Sequence, residues 1–312
     1  MDALQDNLVS LVMRTVGGRP REIRRALTSV AANTCQPIEV VIVYQGGDLA
    51  ERQFLNSLQD EFSRLTIRVL HNTAVGDRRA ENLNIGWEQA TGRYLGFLDD
   101  DDTLEPHHCA LLLAALQRSG RVWSYAQTTL RKENDALEII EESQPFRRHS
   151  FSVAGLWTEN FIPIHSFMID RANLIDELRE RPFCEALDRS EDWDFLIRLG
   201  FFHAPERVDE FTCNYYVSTG LRNTNLSLME NNDVERQERN RQAWARCKAL
   251  VEQRKSALLG RVWWAQELFA GAVAIPVDGS VADEASTKNK ICVPLLRSRI
   301  VRALIRRLER LL

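Results

Sequence analysis

The sequence predicts an α/β fold in which helices cover a mostly parallel sheet, followed by a helical extension towards the C-terminal end. The first observation is an alternation, over the first hundred residues, of short apolar runs with segments whose apolar residues recur at helical spacing. The second is that the apolar runs are continuous, as in strands that are buried on both faces. Strands and helices joined by short connections form right-handed crossovers and therefore parallel strands.

Four strands and three helices account for these hundred residues. We predict strands at residues 8–13, 40–43, 67–70 and 94–98. The helices between them are predicted at residues 20–30, 54–65 and 85–90, the first opened by a proline. Ligands of such sheets bind beyond the carboxyl ends of the strands, so the residues that follow each strand are the candidates for chemistry.

The rest of the chain is less regular. Residues 122–217 mix strand-like runs with one helix that starts near Glu191, and from about residue 226 the pattern is helical and polar. We divide the chain into a main domain at 1–227, a helical extension at 228–275, a linker or mobile loop at 276–294 and a basic amphipathic helix at 295–312.

Composition excludes several classes of protein. With 44% hydrophobic and 27% charged residues and a net charge of −4, the chain is an ordinary globular protein and no general binder of nucleic acid. Its six cysteines are scattered without a CxxC pair, which argues against a zinc site or a disulfide framework. We expect no signal peptide and no membrane span, and therefore a cytoplasmic protein.

Four consecutive aspartates, residues 99–102, follow the fourth predicted strand. Adjacent carboxylates repel one another by on the order of 1 kcal/mol per pair in water, and a divalent cation removes that cost. Mg²⁺ and Mn²⁺ take oxygen ligands and keep positions open for substrate phosphates. The alternative is an acidic turn that caps the next helix, with His107 and His108 in its first turn rather than on a metal.

A second acidic cluster, residues 191–194, opens the predicted helix near Glu191. Ser190 is a plausible N-cap, so these carboxylates could simply favour the helix N-terminus. The functional alternative is a general base for transfer to a hydroxyl. Asp192 is our first choice for that base and Glu191 the second.

Two motifs in this order resemble glycosyltransferase family 2, whose members have the GT-A fold. Residues 84–92 match its N-x-G-x-x-x-A-x-G stretch, which runs into an F-L-D-x-D-D segment with a DXD motif at residues 97–102. Residues 191–198 resemble its later E-D-W-D-x-x-x-R segment, and residues 14–30 are also similar. The likeness covers about residues 7–216.

The resemblance implies an inverting transfer from a nucleotide-diphosphate sugar to an acceptor hydroxyl. It implies that Asp101 coordinates Mn²⁺ or Mg²⁺ and that Asp99 supports the metal or the ribose. It places the nucleotide sugar near Arg14, Thr15, Tyr44, Arg79, Asp99 and Asp100. Asp192 would deprotonate the acceptor.

The sequence departs from the family at two places. The family has an aspartate after the second strand, where Tyr44 and Gln45 stand here, so Tyr44 is predicted to stack on the base. Members of the family often have a histidine near the end of the catalytic domain that helps to hold the metal or the diphosphate, and residues 215–218 contain none here. Arg222 is the residue that could contact the diphosphate instead. His165 and Trp193 are assigned to the acceptor region, with a structural role as the alternative for His165.

Residues 295–312 carry six arginines and one glutamate beside a stripe of apolar residues. Basic amphipathic helices lie on anionic membrane surfaces, but such a helix can equally pack on a protein. A membrane contact, peripheral on the cytoplasmic face, would suit a lipid-linked or saccharide acceptor in surface polysaccharide or glycolipid assembly.

Two alternatives to a glycosyltransferase stay open at the level of the sequence. One is a nucleotidyltransferase, which also joins metal aspartates to a nucleotide-binding sheet, and the other is a sugar-nucleotide-binding protein without catalysis. A dinucleotide-dependent oxidoreductase is disfavoured, because no GxGxxG follows the first strand.

Overall fold

The computed structural model describes residues 4–218 and 234–273. Within them, nine strands form one sheet: β1 Gln5–Thr15, β2 Ile38–Gln45, β3 Thr66–Asn72, β4 Gly92–Phe97, β5 Thr103–Leu104, β6 Trp123–Glu133, β7 Ile139–Ser143, β8 Phe167–Asp170 and β9 Glu206–Ser218. The α-helices of these residues are α1 Pro20–Ala31, α2 Leu49–Glu61, α3 Arg79–Gln89, α4 His108–Ser119, α5 Val153–Thr158, α6 Glu191–Phe202 and α7 Val234–Val273.

The first half of the sheet is parallel, in the order β3-β2-β1-β4. β1 lies between β2 and β4, with Thr15 opposite Tyr44 and Val12 opposite Phe97. The α/β class and the mostly parallel sheet of the GT-A fold are therefore confirmed. The strands are longer than predicted, because polar residues such as Gln5 and Asn72 extend the ladders beyond the apolar runs.

The second half of the sheet is mixed. β8 is antiparallel to β4 and β6 is antiparallel to β8, while β9 runs parallel to β6. The two-residue strand β5 directly follows the aspartate run and pairs with β9, with Thr103 opposite Asn214. This pairing fixes the end of the aspartate run to β9, in the second half of the sheet.

Burial explains the helix positions. The apolar side chains of α1 at Ile23, Leu27 and Val30 are at most 2% exposed and belong to the same core as β1 and β2. Helix α3 lies so close to β1 that a Cβ atom at Gly86 would collide with the side chain of Val12. This close packing of α1 and α3 on the sheet keeps the strands in a fixed position, with the ends of neighbouring strands next to one another.

The chain divides into two compact units, Met1–Gln253 and Arg254–Leu312, and helix α7 runs through the boundary. The predicted linker at 276–294, the predicted basic helix at 295–312 and Arg222 lie outside the described residues, and the predicted division of the chain stays a prediction. None of the described helices is both long enough and apolar enough to cross a membrane. The described cysteines are free thiols.

Candidate active site

A cavity of about 680 Å³ opens at the carboxyl ends of β1, β2 and β4. Its wall also includes the loop before α3, the tip of the β6–β7 hairpin, the segment at 160–165, the N-terminus of α6, the end of β9 and one residue of α7. Of the residues predicted from the sequence, the cavity brings together Arg14, Thr15, Arg79, Asp99, Asp100, Asp101, His165, Glu191, Asp192 and Trp193. The two acidic clusters, about ninety residues apart in the chain, therefore share one cavity.

Arg14 joins the two acidic clusters. At the end of β1, its Nε donates to Asp99 Oδ1 at 2.8 Å, and its Nη1 contacts the carboxylate of Glu191. Burial alone would lower the pKa of Arg14, but these two carboxylates hold it well above its usual range. Since the carboxylate of Glu191 is 2% exposed and bound by Arg14, it is the weaker candidate for a general base.

The middle of the aspartate run is held by β1 and the loop after it. Thr15 donates its hydroxyl to Asp100 Oδ2 at 2.5 Å. Arg19 Nη1 lies 3.2 Å from Asp100 Oδ1 and 2.7 Å from Asp101 Oδ2. Arg25 fixes the backbone by donating to the carbonyl oxygen of Asp101 at 2.7 Å. Arg19, together with Arg14 on Asp99, thus partly neutralises the run.

The carboxylates of the run have different environments. Burial would raise the pKa of Asp99, but the adjacent Arg14 guanidinium outweighs it and lowers that pKa. Enclosure raises the pKa of Asp101 well above its usual value, and the like charges of Asp102 and Asp100 raise it further. A cation beside Asp101 would relieve that repulsion.

Asp102 does not face the cavity. Its side chain is fully buried, accepts a hydrogen bond from the backbone N–H of Tyr216 at 2.8 Å, and lies 2.8 Å from His165 Nδ1. Burial opposes the charge on His165, yet Asp102 keeps its pKa well above the usual value. Because the His165 imidazole serves Asp102 and stacks on Tyr215, its structural role is favoured over a role at the acceptor.

Asp99 and Asp101 are the residues of the run that could hold a divalent ion, with its other ligands supplied by a substrate. In the parts of the chain that the structure describes, no three His, Cys, Asp or Glu side chains form a complete metal site. Asp99 and Asp101 line the cavity, with side chains 26% and 32% exposed. Mg²⁺ is commonly held by one or two carboxylates together with substrate phosphates, and these two oxygen donors fit that pattern.

Asp192 has the properties of a general base. Its Oδ2 accepts from Asn160 at 3.0 Å and its Oδ1 from the backbone N–H of Trp193 at 2.8 Å. Burial and the neighbouring Glu191 raise its pKa to about 6, against the opposing effects of Arg14 and these hydrogen bonds. A base with a pKa close to the working pH is both ionised and able to take a proton.

The start of α6 differs from the prediction in one respect. The helix begins at Glu191, and Ser190 is in the N-cap position, as expected. However, Ser190 has a left-handed backbone with φ of 61°, and its side chain makes no capping hydrogen bond. Asp194, in the same turn, is 3% exposed and pairs with Arg198 at 2.9 Å, so it supports the helix instead of the cavity.

The prediction for Tyr44 is wrong. Its side chain is 3% exposed, packs edge-on against His71 and lies under Gly46, where a Cβ atom would collide with the phenol ring. Gln45 lines the cavity instead, and its amide donates to the carbonyl oxygens of Ala74 and Gly76. The side chain of Tyr44 therefore belongs to the hydrophobic core and does not reach the cavity.

Arg79 lines the cavity as the first residue of α3, a helix whose start the sequence placed near Ile85. Its guanidinium is held by Asp77, with contacts at 3.0 and 2.8 Å. Burial opposes its charge, but nearby Glu191 and Asp77 raise its pKa.

The two histidines after the aspartate run do not line the cavity. His108 is in the first turn of α4, as predicted, and its Nδ1 lies 2.7 Å from Thr212 Oγ1. Burial lowers its pKa to about 3, so the ring is neutral. His107 precedes the helix and contacts Thr34.

Among the cavity residues that sequence reasoning missed are Arg19, Asn160, Arg189 and Trp244. Arg19 could have been found, because it follows β1 at the predicted site edge. Arg189 is adjacent to the E-D segment, which is a weaker signal. For Asn160 and Trp244 the sequence offers none, since each reaches the cavity only through the tertiary fold.

Comparison with known proteins agrees with this architecture. In curated proteins, the chain is 33% identical over 99 residues to an uncharacterized glycosyltransferase of Nostoc sp., covering 32% of this chain and 30% of that protein. It is 25% identical over 182 residues to an uncharacterized glycosyltransferase of Haemophilus influenzae, covering 58% of each. The chain thus spans 30% of the length of the Nostoc protein and 58% of the length of the Haemophilus influenzae protein.

Solved structures of similar fold include TarS of S. aureus, with a TM-score of 0.52 and 17% identity over 67% of this chain and 36% of that one. A TarS fragment in complex with UDP-GlcNAc has a TM-score of 0.51 and 17% identity, and the match covers 68% of this chain and 59% of the fragment. At this identity the likeness establishes the fold, which is that of GT-A glycosyltransferases.

The family comparison is more specific than the structural one. The model of Glycosyl transferase family 2 matches residues 10–178, which is more than half of the 312 residues. This stretch holds β1, α3 and the aspartate run, the elements that build one side of the cavity. The protein therefore belongs to glycosyl transferase family 2.

Proposed function

We propose that this protein transfers a sugar from a nucleotide-diphosphate sugar to an acceptor hydroxyl, with inversion at the anomeric carbon. The observation that carries the proposal is the position of Asp192, which lines the same cavity as the aspartate run and has a pKa of about 6. Family membership supports glycosyl transfer in general. The donor class is supported by the TarS fragment, which was solved with UDP and with UDP-GlcNAc.

The roles follow from the groups that line the cavity. Asp192 accepts the proton of the acceptor hydroxyl at a carboxylate oxygen, while the Asn160 amide and the Trp193 N–H hold that carboxylate in place. The hydroxyl then attacks the anomeric carbon from the side opposite the diphosphate. One displacement without a covalent sugar–enzyme intermediate inverts the configuration.

The other end of the cavity binds the nucleotide diphosphate in this proposal. Thr15, Gln45 and Arg79 line it at the ends of β1 and β2 and at the start of α3. Asp101, supported by Asp99, would hold Mn²⁺ or Mg²⁺. When bound, such an ion neutralises the charge that develops on a departing diphosphate. Arg19 keeps the aspartate run aligned by contacting two of its carboxylates.

A thermal-shift screen of nucleotide sugars, each with and without Mn²⁺, tests donor and metal together. We expect one class of nucleotide sugar to raise the melting temperature only when Mn²⁺ is present, because a ligand that binds the native state stabilises it. The products of turnover separate the enzymatic alternatives. Nucleoside diphosphate indicates sugar transfer, and pyrophosphate would indicate nucleotidyl transfer.

Asp101→Ala should remove this metal-dependent stabilisation and reduce transfer roughly 100-fold or more, since a bound metal contributes several kcal/mol to the transition state. The melting temperature without ligand should not fall. Asp135→Ala is the matched control, because Asp135 is an exposed carboxylate on the same cavity wall but outside the run. Full activity or full Mn²⁺-dependent stabilisation in Asp101→Ala would refute the assignment.

We further propose that the acceptor belongs to a surface polysaccharide or glycolipid and that the protein works peripherally at the cytoplasmic membrane face. The support is the basic, amphipathic composition of residues 295–312. Co-sedimentation with vesicles containing anionic lipid, compared with neutral vesicles, tests the membrane contact. Equal recovery in the supernatant of both would contradict it.

A further inference from the structure

Helix α7 contributes one large side chain to the cavity. Trp244 lines the same cavity as Asp192 and is 38% exposed, which is unusual for an indole in a folded protein. It lies within the unit that ends at Gln253, although it follows the described part of β9 by more than twenty residues. Its presence makes α7 part of the wall of the site.

The helix is anchored to the segment directly before α6. Asp188 accepts a hydrogen bond from Cys247 Sγ at 2.9 Å and is paired with Arg246. Arg189 donates to Asn240 Oδ1 at 2.9 Å. Since Asp188 and Arg189 precede α6 by only a few residues, these contacts fix Trp244 relative to the N-terminus that carries Asp192.

Arg189 also orients the indole. Its guanidinium carbon lies 5.8 Å from the centre of a Trp244 ring, within the range of a cation–π contact. Arg189 lines the cavity as well, and its side chain is 14% exposed. The pair therefore places an exposed indole beside a guanidinium that lines the cavity and that donates one hydrogen bond to Asn240.

This combination suits a sugar ring. The C–H face of a sugar is apolar and weakly positive, and it packs on the negative face of an aromatic ring, while its hydroxyls need polar partners at the edge. We propose that Trp244 and Arg189 form an acceptor subsite that takes a saccharide, with one sugar ring stacked on the indole. The inference rests on the proposed function for its biological meaning, but saccharide binding can be measured without turnover.

Saturation-transfer difference NMR on the full chain tests the subsite. The probes are methyl glycosides of glucose, galactose, mannose and N-acetylglucosamine, offered with Mn²⁺ and without donor. We expect saturation of ring C–H protons in at least one glycoside with the wild type, and at least a fivefold weaker signal with Trp244→Ala. Trp244→Phe, which keeps an aromatic face, should retain most of the signal.

Arg241→Ala is the matched control. Arg241 lies on the same helix with a side chain 69% exposed, pairs only weakly with Glu238 at 3.7 Å, and is not part of the cavity wall. It should bind the glycosides like the wild type. No signal with the wild type, or equal signals with wild type and Trp244→Ala, would overturn the subsite.

Kinetics give a second measurement once a donor and an acceptor are in hand. Trp244→Ala should raise the KM for the acceptor roughly tenfold, the size expected for a lost stacking contact, and should change kcat less. An equal loss of Mn²⁺-dependent donor stabilisation would mean that Trp244 has only a structural role. If no nucleoside diphosphate is ever released but glycosides bind through Trp244, the proposed function fails while the subsite stands.

Discussion

The two acidic clusters of the cavity differ in the groups that contact their carboxylates. Both are short runs of acidic residues, one after β4 and the other in the first turn of α6. In the aspartate run, arginines bind Asp99, Asp100 and Asp101. In the second cluster, Glu191 is bound by Arg14, whereas the hydrogen bonds of Asp192 come, among the described residues, from two neutral donors, the Asn160 amide and the Trp193 N–H. The pKa of Asp192 is about 6 as a result of burial and of the adjacent Glu191.

This difference assigns different chemistry to similar residues. Asp99, held by Arg14, has a lowered pKa and stays ionised, whereas Asp101 faces like charges whose repulsion a bound cation would relieve, so the run suits a cation and a phosphate-bearing ligand. A carboxylate with neutral partners and a raised pKa exchanges protons near neutral pH, which suits a base. Substitutions at Asp192, Asp194 and His165 test whether the two clusters differ in this way.

The largest effect is expected from Asp192→Asn. An amide cannot take a proton, so transfer should fall by about 10²- to 10⁴-fold, the usual contribution of a general base. The folded-state pKa of Asp192 is raised, so its ionised form destabilises the protein above about pH 6. Asp192→Asn should therefore melt no lower than the wild type at pH 8, as measured by calorimetry, while the transfer rate is followed by nucleoside diphosphate release.

Asp194→Asn, two residues along the same helix, sharpens this test. Asp194 is buried against Arg198, so its replacement should lower the unfolding free energy by roughly 1–3 kcal/mol, the cost of a buried charged group that loses its partner. Activity of the folded protein should persist. The base assignment for Asp192 fails if the two variants lose transfer equally.

The next effect concerns the one aspartate of the run that points inward. His165→Ala leaves the fully buried Asp102 without its cation and should lower the unfolding free energy by about 3–5 kcal/mol in urea titrations. The exposed His149, changed to Ala, should cost less than about 0.5 kcal/mol. Equal stability of the His165→Ala variant and the wild type would show that the Asp102–His165 pair does not support the run.

The smallest expected effect is the pH dependence of transfer. Since the pKa of Asp192 is raised to about 6, the free protein holds the base protonated below that pH. kcat/KM should fall roughly tenfold for each pH unit below about 6 and level off above it. Asp192→Asn should lack this acidic limb in its residual activity. A flat wild-type profile between pH 5 and 8 would contradict the comparison of the two clusters.

Much of the fold was predictable because its signals are local. The continuous apolar runs predicted β1 to β4, and the helical spacing predicted α1 to α3, since both patterns depend only on neighbours in the chain. The position of the aspartates directly after β4 followed from the same argument. Strand and helix ends were less accurate, as at α3, which begins at Arg79 instead of near Ile85.

The site was predictable only in part. A sequence indicates which residues follow a strand, and so it indicated Thr15 and Asp99 together with the E-D segment. It did not indicate that the side chain of Tyr44 would be buried in the core, and the prediction for Tyr44 was wrong for that reason, because burial depends on tertiary packing.

The amino-acid sequence by itself determined the order of elements in the first hundred residues, the places of the two acidic clusters and the family. Only the tertiary structure decided how the carboxylates are partnered: Arg14 reaches Glu191 across 177 positions of the chain, and His165 reaches Asp102 from the short helical turn before β8. It also brought Trp244 to the cavity. The physical reason is that charge pairing, burial and pKa depend on distances through space, whereas sequence patterns report only neighbours along the chain.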